Sequence, residues 1–149
     1  MALTLIIICV AVLCVAVLLW TKRSKHRDDL EQHSITPEAL HALLESNEEV
    51  LVYDVRQPLD LLAHAEIIPG AKRIFPKEIM EKPSIIPKDK DLVVYCTCPG
   101  DKTSREVWHR ANALNLQRIR FLKGGLEAWK AKGYPVEPYQ ESFHLDTQN

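Results

Sequence analysis

The chain has 149 residues, 46% of them hydrophobic, which is enough for one ordinary domain with a core and too few for two. Its 19 Lys and Arg residues against 20 Asp and Glu residues give a formal net charge of -1, which excludes the basic excess typical of nucleic-acid-binding proteins. Four cysteines are too few for a secreted disulfide scaffold of this length.

The N-terminal segment is almost entirely apolar from Leu3 to Trp20, and a basic run beginning at Lys22 follows it. A helix of this length, at ~1.5 Å per residue, can just cross a hydrocarbon core of ~30 Å. A cleaved signal peptide is the alternative, but the segment lacks a basic start and a small-residue cleavage pattern. We therefore predict a single-pass membrane anchor over residues 1–21 and a charged linker over 22–34. The basic flank predicts that the following domain lies on the cytoplasmic side.

A helix and a buried strand are predicted next. Thr36 and Pro37 are typical of a helix N-cap and first helical position. The short apolar run from Val50 to Asp54 is typical of a buried parallel strand. Asp54 and Arg56 end this strand, and we expect their hydrogen bonds to organise the loop that follows.

The next forty residues contain short elements separated by turn signals. The patterns predict a helical turn from Asp60 to Ala65, a turn from Ile68 to Ala71, a strand from Arg73 to Phe75 and a short helix from Pro76 to Met80. A proline-containing connection then leads to a buried strand from Leu92 to Tyr95.

A polar loop carrying two cysteines follows that strand. Thr103 and Glu106 have the spacing of a capping box, which predicts that a helix begins at Thr103. Backbone amides at a helix N-terminus stabilise thiolates and bind anions. The polar loop predicts that Cys96 and Cys98 are accessible rather than buried. Asp101 is expected only to weaken the attraction of anions to the neighbouring positive charges.

The helix after the loop is expected to bury one face, formed by Val107, Trp108, Ala111 and Leu114. A strand from Arg118 to Leu122, the pair Gly124-Gly125 and a helix carrying Leu126 and Trp129 complete the pattern. Strands and helices alternate throughout, which predicts an α/β fold with a parallel sheet, helices on both faces, and ligands at the carboxyl ends of the strands.

Four segments together resemble a single rhodanese domain. They are Tyr53-Asp54-Val55-Arg56, Ile68-Pro69-Gly70-Ala71, the strand and cysteine loop from Val93, and Gly124-Gly125-Leu126-Glu127-Ala128-Trp129. The resemblance implies a rhodanese-like domain over residues 35–138, followed by a C-terminal tail over 139–149. Glu66-Ile67 stands where the family usually has Gly-His before Ile-Pro-Gly-Ala.

The resemblance implies a thiosulfate-type sulfurtransferase in which a loop cysteine carries sulfur as a persulfide. Its partners would be a small anionic sulfur donor and a thiol acceptor, including a protein thiol, or cyanide. It implies no cofactor and no metal, and the spacing of the histidines relative to the cysteine pair predicts no zinc site. The residues expected to bind the donor are Thr97, Gly100, Lys102, Thr103, Ser104 and Arg105.

The loop leaves the nucleophile open, because it departs from the usual family loop with one cysteine. Counted from the strand, Cys96 takes the nucleophile position, which we favour; counted back from the helix, Cys98 gives the usual loop length and is the alternative nucleophile or a resolving thiol. A binding or redox-sensing module using both thiols is the second hypothesis. A cysteine-dependent phosphatase is disfavoured, because Lys102 stands where that chemistry needs an arginine.

Overall fold

The computed structural model describes residues 2–46, 48–97, 99–116 and 118–140. The described chain forms two compact units that divide between His33 and Ser34. The helices are α1 (Ala2–Gln32), α2 (Pro37–Glu45), α3 (Pro58–Ala63), α4 (Pro76–Glu81), α5 (Lys102–Ala113) and α6 (Gly125–Ala131). The strands are β1 (Ser34–Ile35), β2 (Val50–Asp54), β3 (Glu66–Ile67), β4 (Lys72–Arg73), β5 (Asp91–Tyr95), β6 (Ile119–Leu122) and β7 (Glu137–Pro138). Short 3-10 helices cover Pro83–Ile85 and Pro99–Asp101.

The first unit is the single helix α1. It continues through the charged segment that we predicted as a linker, since Lys, Arg, Glu and Gln favour helix and this segment has neither Gly nor Pro. The side chains from Val10 to Trp20 are exposed, and those of residues 2–9 lie outside the described part of the chain. Among the described residues, no helix is long and apolar enough to cross a membrane. The predicted anchor therefore has no support from the structure.

The second unit is built on a parallel sheet with the strand order β1-β6-β5-β2-β4. The pairing aligns Asp54 at the end of β2 with Tyr95 at the end of β5 and with Arg73 at the end of β4. The carboxyl ends of three neighbouring strands thus meet at one edge. The predicted α/β class, with a parallel sheet flanked by helices, is confirmed.

A second, two-stranded antiparallel sheet pairs β3 with β7. No pattern in the sequence predicts this sheet, because both strands have only two residues and one contains Pro138. The Tyr139 N–H also donates to the carbonyl of Ala65 at 2.8 Å. This sheet holds the C-terminal segment beside the Ile68–Ala71 turn, where the Gly70 N–H donates to Glu137 Oε1 at 3.2 Å.

One cluster of buried hydrophobic side chains lies on the sheet with α2 and α6, and further buried residues, including Val107, Trp108 and Phe121, lie outside this cluster. The buried members of the cluster are Ile35, Leu40, Val52, Ile68, Val93, Tyr95, Leu122, Leu126 and Trp129. Trp108 and Trp129 are buried as predicted, and Trp129 Nε1 donates to the carbonyl of Pro135 at 2.8 Å. The predicted N-cap of α2 is also present, since Thr36 Oγ accepts the Ala39 N–H at 3.3 Å.

Two predicted elements differ in the structure. The predicted strand at Arg73 to Phe75 covers only Lys72–Arg73, because Phe75 precedes the first proline of α4. Leu114 is 40% exposed rather than buried, because α5 ends at Ala113 and its helical periodicity stops before that position.

Candidate active site

The cysteine loop begins at the end of β5, a central strand of the sheet. Cys96 directly follows Tyr95, and only 1% of its surface is exposed. The prediction of an accessible thiol is therefore wrong for Cys96. Cys96 follows a strand flanked by two others, and the start of α6 packs against its backbone carbonyl. Cys98 lies outside the described residues, so its predicted role stays a prediction.

The turn at the start of α6 packs directly on Cys96. The Leu126 N–H donates to the carbonyl oxygen of Cys96 at 3.1 Å. A Cβ at Gly125 would overlap that oxygen and would lie 3.0 Å from the carbonyl carbon of Cys96. Gly125 also has a φ of 55°, which favours glycine. The close approach of this turn to the cysteine loop therefore requires glycine at position 125.

Asp101 connects the far end of the loop to the same turn. Its Oδ2 accepts the Gly124 N–H at 2.8 Å, and only 8% of the residue is exposed. Its φ of 55° lies in the left-handed region, which Asp tolerates better than most residues. Burial raises the pKa of Asp101, while the Gly124 hydrogen bond and the charge of Arg105 act in the opposite direction. Asp101 is thus a buried residue that connects the loop to the start of α6, a role that the prediction based on its charge alone did not include.

The N-terminus of α5 follows the loop and starts one residue earlier than predicted, at Lys102. Thr103 is therefore not the N-cap; Asp101 precedes the helix, and its side chain does not cap it, since the carboxylate is bonded to Gly124. Ser104 in the first turn is fully buried, and its Oγ has no hydrogen-bond partner among the described residues. Buried hydroxyl groups normally have a partner, and an anion at the helix N-terminus would supply one.

The other predicted donor-binding residues line the loop with different exposures. Thr97, Thr103 and Arg105 are partly buried, whereas Gly100 and Lys102 are exposed. Arg105 Nη1 donates weakly to the carbonyl of Gly100 at 3.4 Å, a contact that crosses the loop. The structure thus brings these residues onto one short segment between β5 and the first turns of α5.

Asp54 and Arg56 form a fully buried ion pair at the end of β2. Arg56 Nη2 lies 2.5 Å from Asp54 Oδ2, and Arg56 Nε donates to both carboxylate oxygens at 2.9 Å. Two further guanidinium N–H groups donate to the carbonyls of His64 and Glu66, each at 2.7 Å. The pair therefore fixes the segment between α3 and β3.

This ion pair is also connected to the strand that carries Cys96. The Val55 N–H donates to the carbonyl of Tyr95 at 3.0 Å, and the Tyr95 hydroxyl accepts the Ile68 N–H at 3.3 Å. Burial raises the pKa of Tyr95, so the hydroxyl stays protonated. Arg73 Nη2 donates to the carbonyl of Arg56 at 2.9 Å. Within the described ranges, no group of three or more His, Cys, Asp and Glu side chains is placed to hold a metal ion.

Comparison with known proteins identifies the family to which this domain belongs. Residues 36–132 match the family described as "Rhodanese-like domain". The chain belongs to this family. A sulfurtransferase of Allochromatium vinosum is 32% identical to this rhodanese-like chain over 108 residues, which cover 70% of this chain and 94% of the relative.

Solved structures agree with this family. A rhodanese-related protein from Thermoplasma volcanium is 28% identical, with a TM-score of 0.57 over 70% of this chain and 97% of the other. A protein of unknown function from Rhodopseudomonas palustris, described as a possible tyrosine phosphatase, is 25% identical, with a TM-score of 0.61 over 74% of this chain and 89% of the other. The resemblance inferred from the four motifs is therefore confirmed at the level of the family.

The rhodanese-like site contains contacts that sequence reasoning missed. The tie between Asp101 and Gly124, and the close approach of Gly125 to Cys96, were not predicted. The pair Gly124-Gly125 was the available signal, because two adjacent glycines before a helix indicate that another backbone comes close. Nothing in the sequence indicates which segment that is, because the contacting residues are more than twenty positions away.

The raised pKa of Asp101 predicts a pH-dependent gain in stability for Asp101→Asn. Below the ordinary carboxylate pKa, Asp101 is protonated in both states and costs nothing. As the pH rises, the unfolded chain ionises first, so the folded state loses stability until its own raised pKa is passed. Asn has no charge to desolvate, and its amide oxygen can still accept the Gly124 N–H. Urea unfolding should therefore show Asp101→Asn to be more stable than wild type at pH 7.5 and equal to it below pH ~4.

The exposed Asp89 offers a matched control, since Asp89→Asn removes the same charge without relieving burial. A similar gain in both variants, or a gain for Asp101→Asn that persists unchanged at low pH, would contradict the proposed cause.

Proposed function

We propose that this rhodanese-like domain is a sulfurtransferase that carries sulfane sulfur as a cysteine persulfide in the loop after β5, with thiosulfate as a donor. The family assignment and the sulfurtransferase relative support the reaction class. The observation that carries the proposal is the first turn of α5, which Asp101 does not cap and which holds a buried Ser104 hydroxyl without a described partner. Such a turn is suited to an anionic sulfur group.

The transfer occurs in two displacements. The cysteine thiolate attacks the outer sulfur of thiosulfate, the bond between its two sulfur atoms breaks, and sulfite leaves with the electron pair. The enzyme then holds a persulfide anion, and charge is conserved. A thiolate acceptor attacks the terminal sulfur and restores the cysteine thiolate; cyanide would leave as thiocyanate.

Cys96 is our preferred nucleophile, because the rigid end of β5 fixes its backbone and the loop amides follow it directly. Its low exposure means that the donor must reach it through the loop. Thr97, Gly100, Lys102, Thr103 and Arg105 would then contact the donor or the acceptor along that path. Cys98 remains the alternative nucleophile or resolving thiol.

The acceptor is proposed to be a thiol, including a protein thiol, on the cytoplasmic side of a membrane. Membrane attachment rests on the sequence alone, namely the apolar run from Leu3 to Trp20 and the basic flank. Alkaline carbonate extraction of membranes tests it: the full chain should stay in the pellet, and release into the supernatant would contradict it.

Thiocyanate formation from thiosulfate and cyanide tests the activity. Wild type should produce thiocyanate, and Cys96→Ser should lose at least about a thousandfold in rate, as expected for loss of a nucleophile. Glu106→Ala, an exposed substitution on α5, should keep the wild-type rate.

Two results of this assay would favour other functions. Hydrolysis of an aryl phosphate that depends on Cys96 would favour a phosphatase, as suggested for the Rhodopseudomonas palustris protein. The enclosed position of Cys96 favours a non-catalytic binding module as the second candidate, since buried thiols react slowly; a redox-sensing module using the Cys96 and Cys98 pair would need a thiol that an oxidant can reach. Wild type inactive with thiosulfate and with polysulfide would favour a non-catalytic module over the enzyme.

A further inference from the structure

We propose that Asp101 is a positioning residue whose hydrogen bond to Gly124 holds the start of α5 against the Gly124–Leu126 turn that packs on Cys96, an inference that takes its functional meaning from the proposed sulfur transfer. Nothing in the family assignment or the loop motif gives this role to an acidic residue at position 101. It follows from two contacts of the turn at the start of α6, one with Cys96 at the beginning of the loop and one with Asp101 at its end.

These two contacts are hydrogen bonds donated by backbone amides of the same turn. The Leu126 N–H holds the carbonyl of Cys96 at 3.1 Å, and the Gly124 N–H holds the carboxylate of Asp101 at 2.8 Å. Asp101 Oδ1 also lies 3.6 Å from the point where a Cβ of Gly125 would stand. Hydrogen bonds therefore connect the first and last residues of the loop, Cys96 and Asp101, to the same turn at the start of α6.

The tie has a second consequence for α5. An aspartate placed just before a helix commonly accepts hydrogen bonds from the first-turn amides. Asp101 does not, because its carboxylate is directed to Gly124. The hydrogen bond between Asp101 and Gly124 thus keeps the Asp101 carboxylate away from the backbone amides that the proposed anion would use.

Substitutions can separate the effect of the hydrogen bond between Asp101 and Gly124 from the effect of the left-handed backbone at position 101. Asp101→Gly removes the carboxylate and keeps the left-handed backbone without strain, which alanine would not. Asp101→Asn keeps an oxygen that can accept the Gly124 N–H. Asn115→Gly is the matched control, because Asn115 is the other non-glycine residue with positive φ in the described chain and is exposed.

The test measures how fast iodoacetamide alkylates Cys96 in the full-length protein, read by mass spectrometry at the level of the individual cysteine. Loss of a charge-assisted hydrogen bond should release the start of α5 from the turn beside Cys96 and let reagent reach the thiol, so Asp101→Gly should react at least about tenfold faster than wild type. Asp101→Asn should stay within about threefold of wild type, since its oxygen replaces the acceptor. Asn115→Gly should react as wild type does.

Wild-type alkylation of Cys96 in Asp101→Gly would overturn the proposal, and so would equally fast alkylation in Asp101→Asn and Asp101→Gly. A thermal unfolding scan of each variant shows that alkylation is compared between folded proteins. The alkylation readout needs no sulfur transfer. A chain that forms no thiocyanate but shows this order of alkylation rates would contradict the proposed function and support the role of Asp101. An active enzyme without this order would support the proposed function and contradict the role of Asp101.

Discussion

Gly125→Ala is expected to lower the free energy of unfolding by about 3 kcal/mol or more and to remove sulfur transfer. Two costs combine at this position. A Cβ would overlap the carbonyl oxygen of Cys96, and that neighbour is backbone, which cannot rotate away. The φ of 55° adds the strain of a left-handed alanine. The clash can be relieved only by moving the end of β5, which displaces Cys96, or by moving the start of α6, which breaks the hydrogen bond from the Leu126 N–H to the Cys96 carbonyl.

Gly133→Ala is the matched control for this prediction. Gly133 has a φ of 73°, and no atom lies within 4 Å of the point where its Cβ would stand. Its replacement should therefore cost only the backbone strain, about 1–2 kcal/mol, and should leave the site unchanged. Urea unfolding and the thiocyanate assay on both variants give the comparison. Equal losses of stability in the two variants, or a fully active Gly125→Ala, would show that the contact with Cys96 is unimportant.

Arg56→Ala is expected to lower the free energy of unfolding by about 3–5 kcal/mol, which is a large part of the stability of a domain of this size. The substitution leaves the Asp54 carboxylate buried without its main partner and removes the donors that hold the carbonyls of His64 and Glu66. Arg73 also faces Asp54, but its Nη1 lies 3.9 Å from Oδ1, too far for a hydrogen bond, so it compensates for only part of the lost interaction. Leaving a buried charge unpaired costs more than the original pair contributes.

Arg118→Ala tests whether burial is the reason. Arg118 forms a similar two-point interaction with Asp91, at 3.0 and 3.2 Å, but both side chains are about half exposed. Water can solvate Asp91 when the arginine is lost, so the urea midpoint should change far less than for Arg56→Ala. Similar midpoints for the two variants would contradict the role assigned to the buried pair.

The long elements and the family could be predicted from the sequence because local patterns decide them. Val50–Asp54 and Asp91–Tyr95 are short apolar runs bounded by polar residues, and Thr36-Pro37 is a local start signal. The start of α5 could not be predicted from the spacing of Thr103 and Glu106. The helix begins one residue earlier, after Asp101, whose carboxylate accepts the distant Gly124 N–H, a contact that local spacing does not reveal.

The exposure of Cys96 was mispredicted for a related reason. Polar neighbours in sequence suggested an accessible thiol, but burial depends on what packs over the residue in three dimensions. The turn that packs on the carbonyl of Cys96 comes from Gly125 and Leu126, far along the chain. The pairing of β3 with β7 is likewise a long-range contact between segments too short to show a pattern.

The central claim is that sulfur is carried on a cysteine of the loop after β5, and mass spectrometry of the intact protein after incubation with thiosulfate tests it most directly. Wild type and Cys98→Ser should each gain the mass of one sulfur atom, removable by a thiol, and Cys96→Ser should gain none. A persulfide that persists in Cys96→Ser and disappears in Cys98→Ser would move the nucleophile to Cys98. No gain of sulfur in wild type with thiosulfate or with polysulfide would contradict the account.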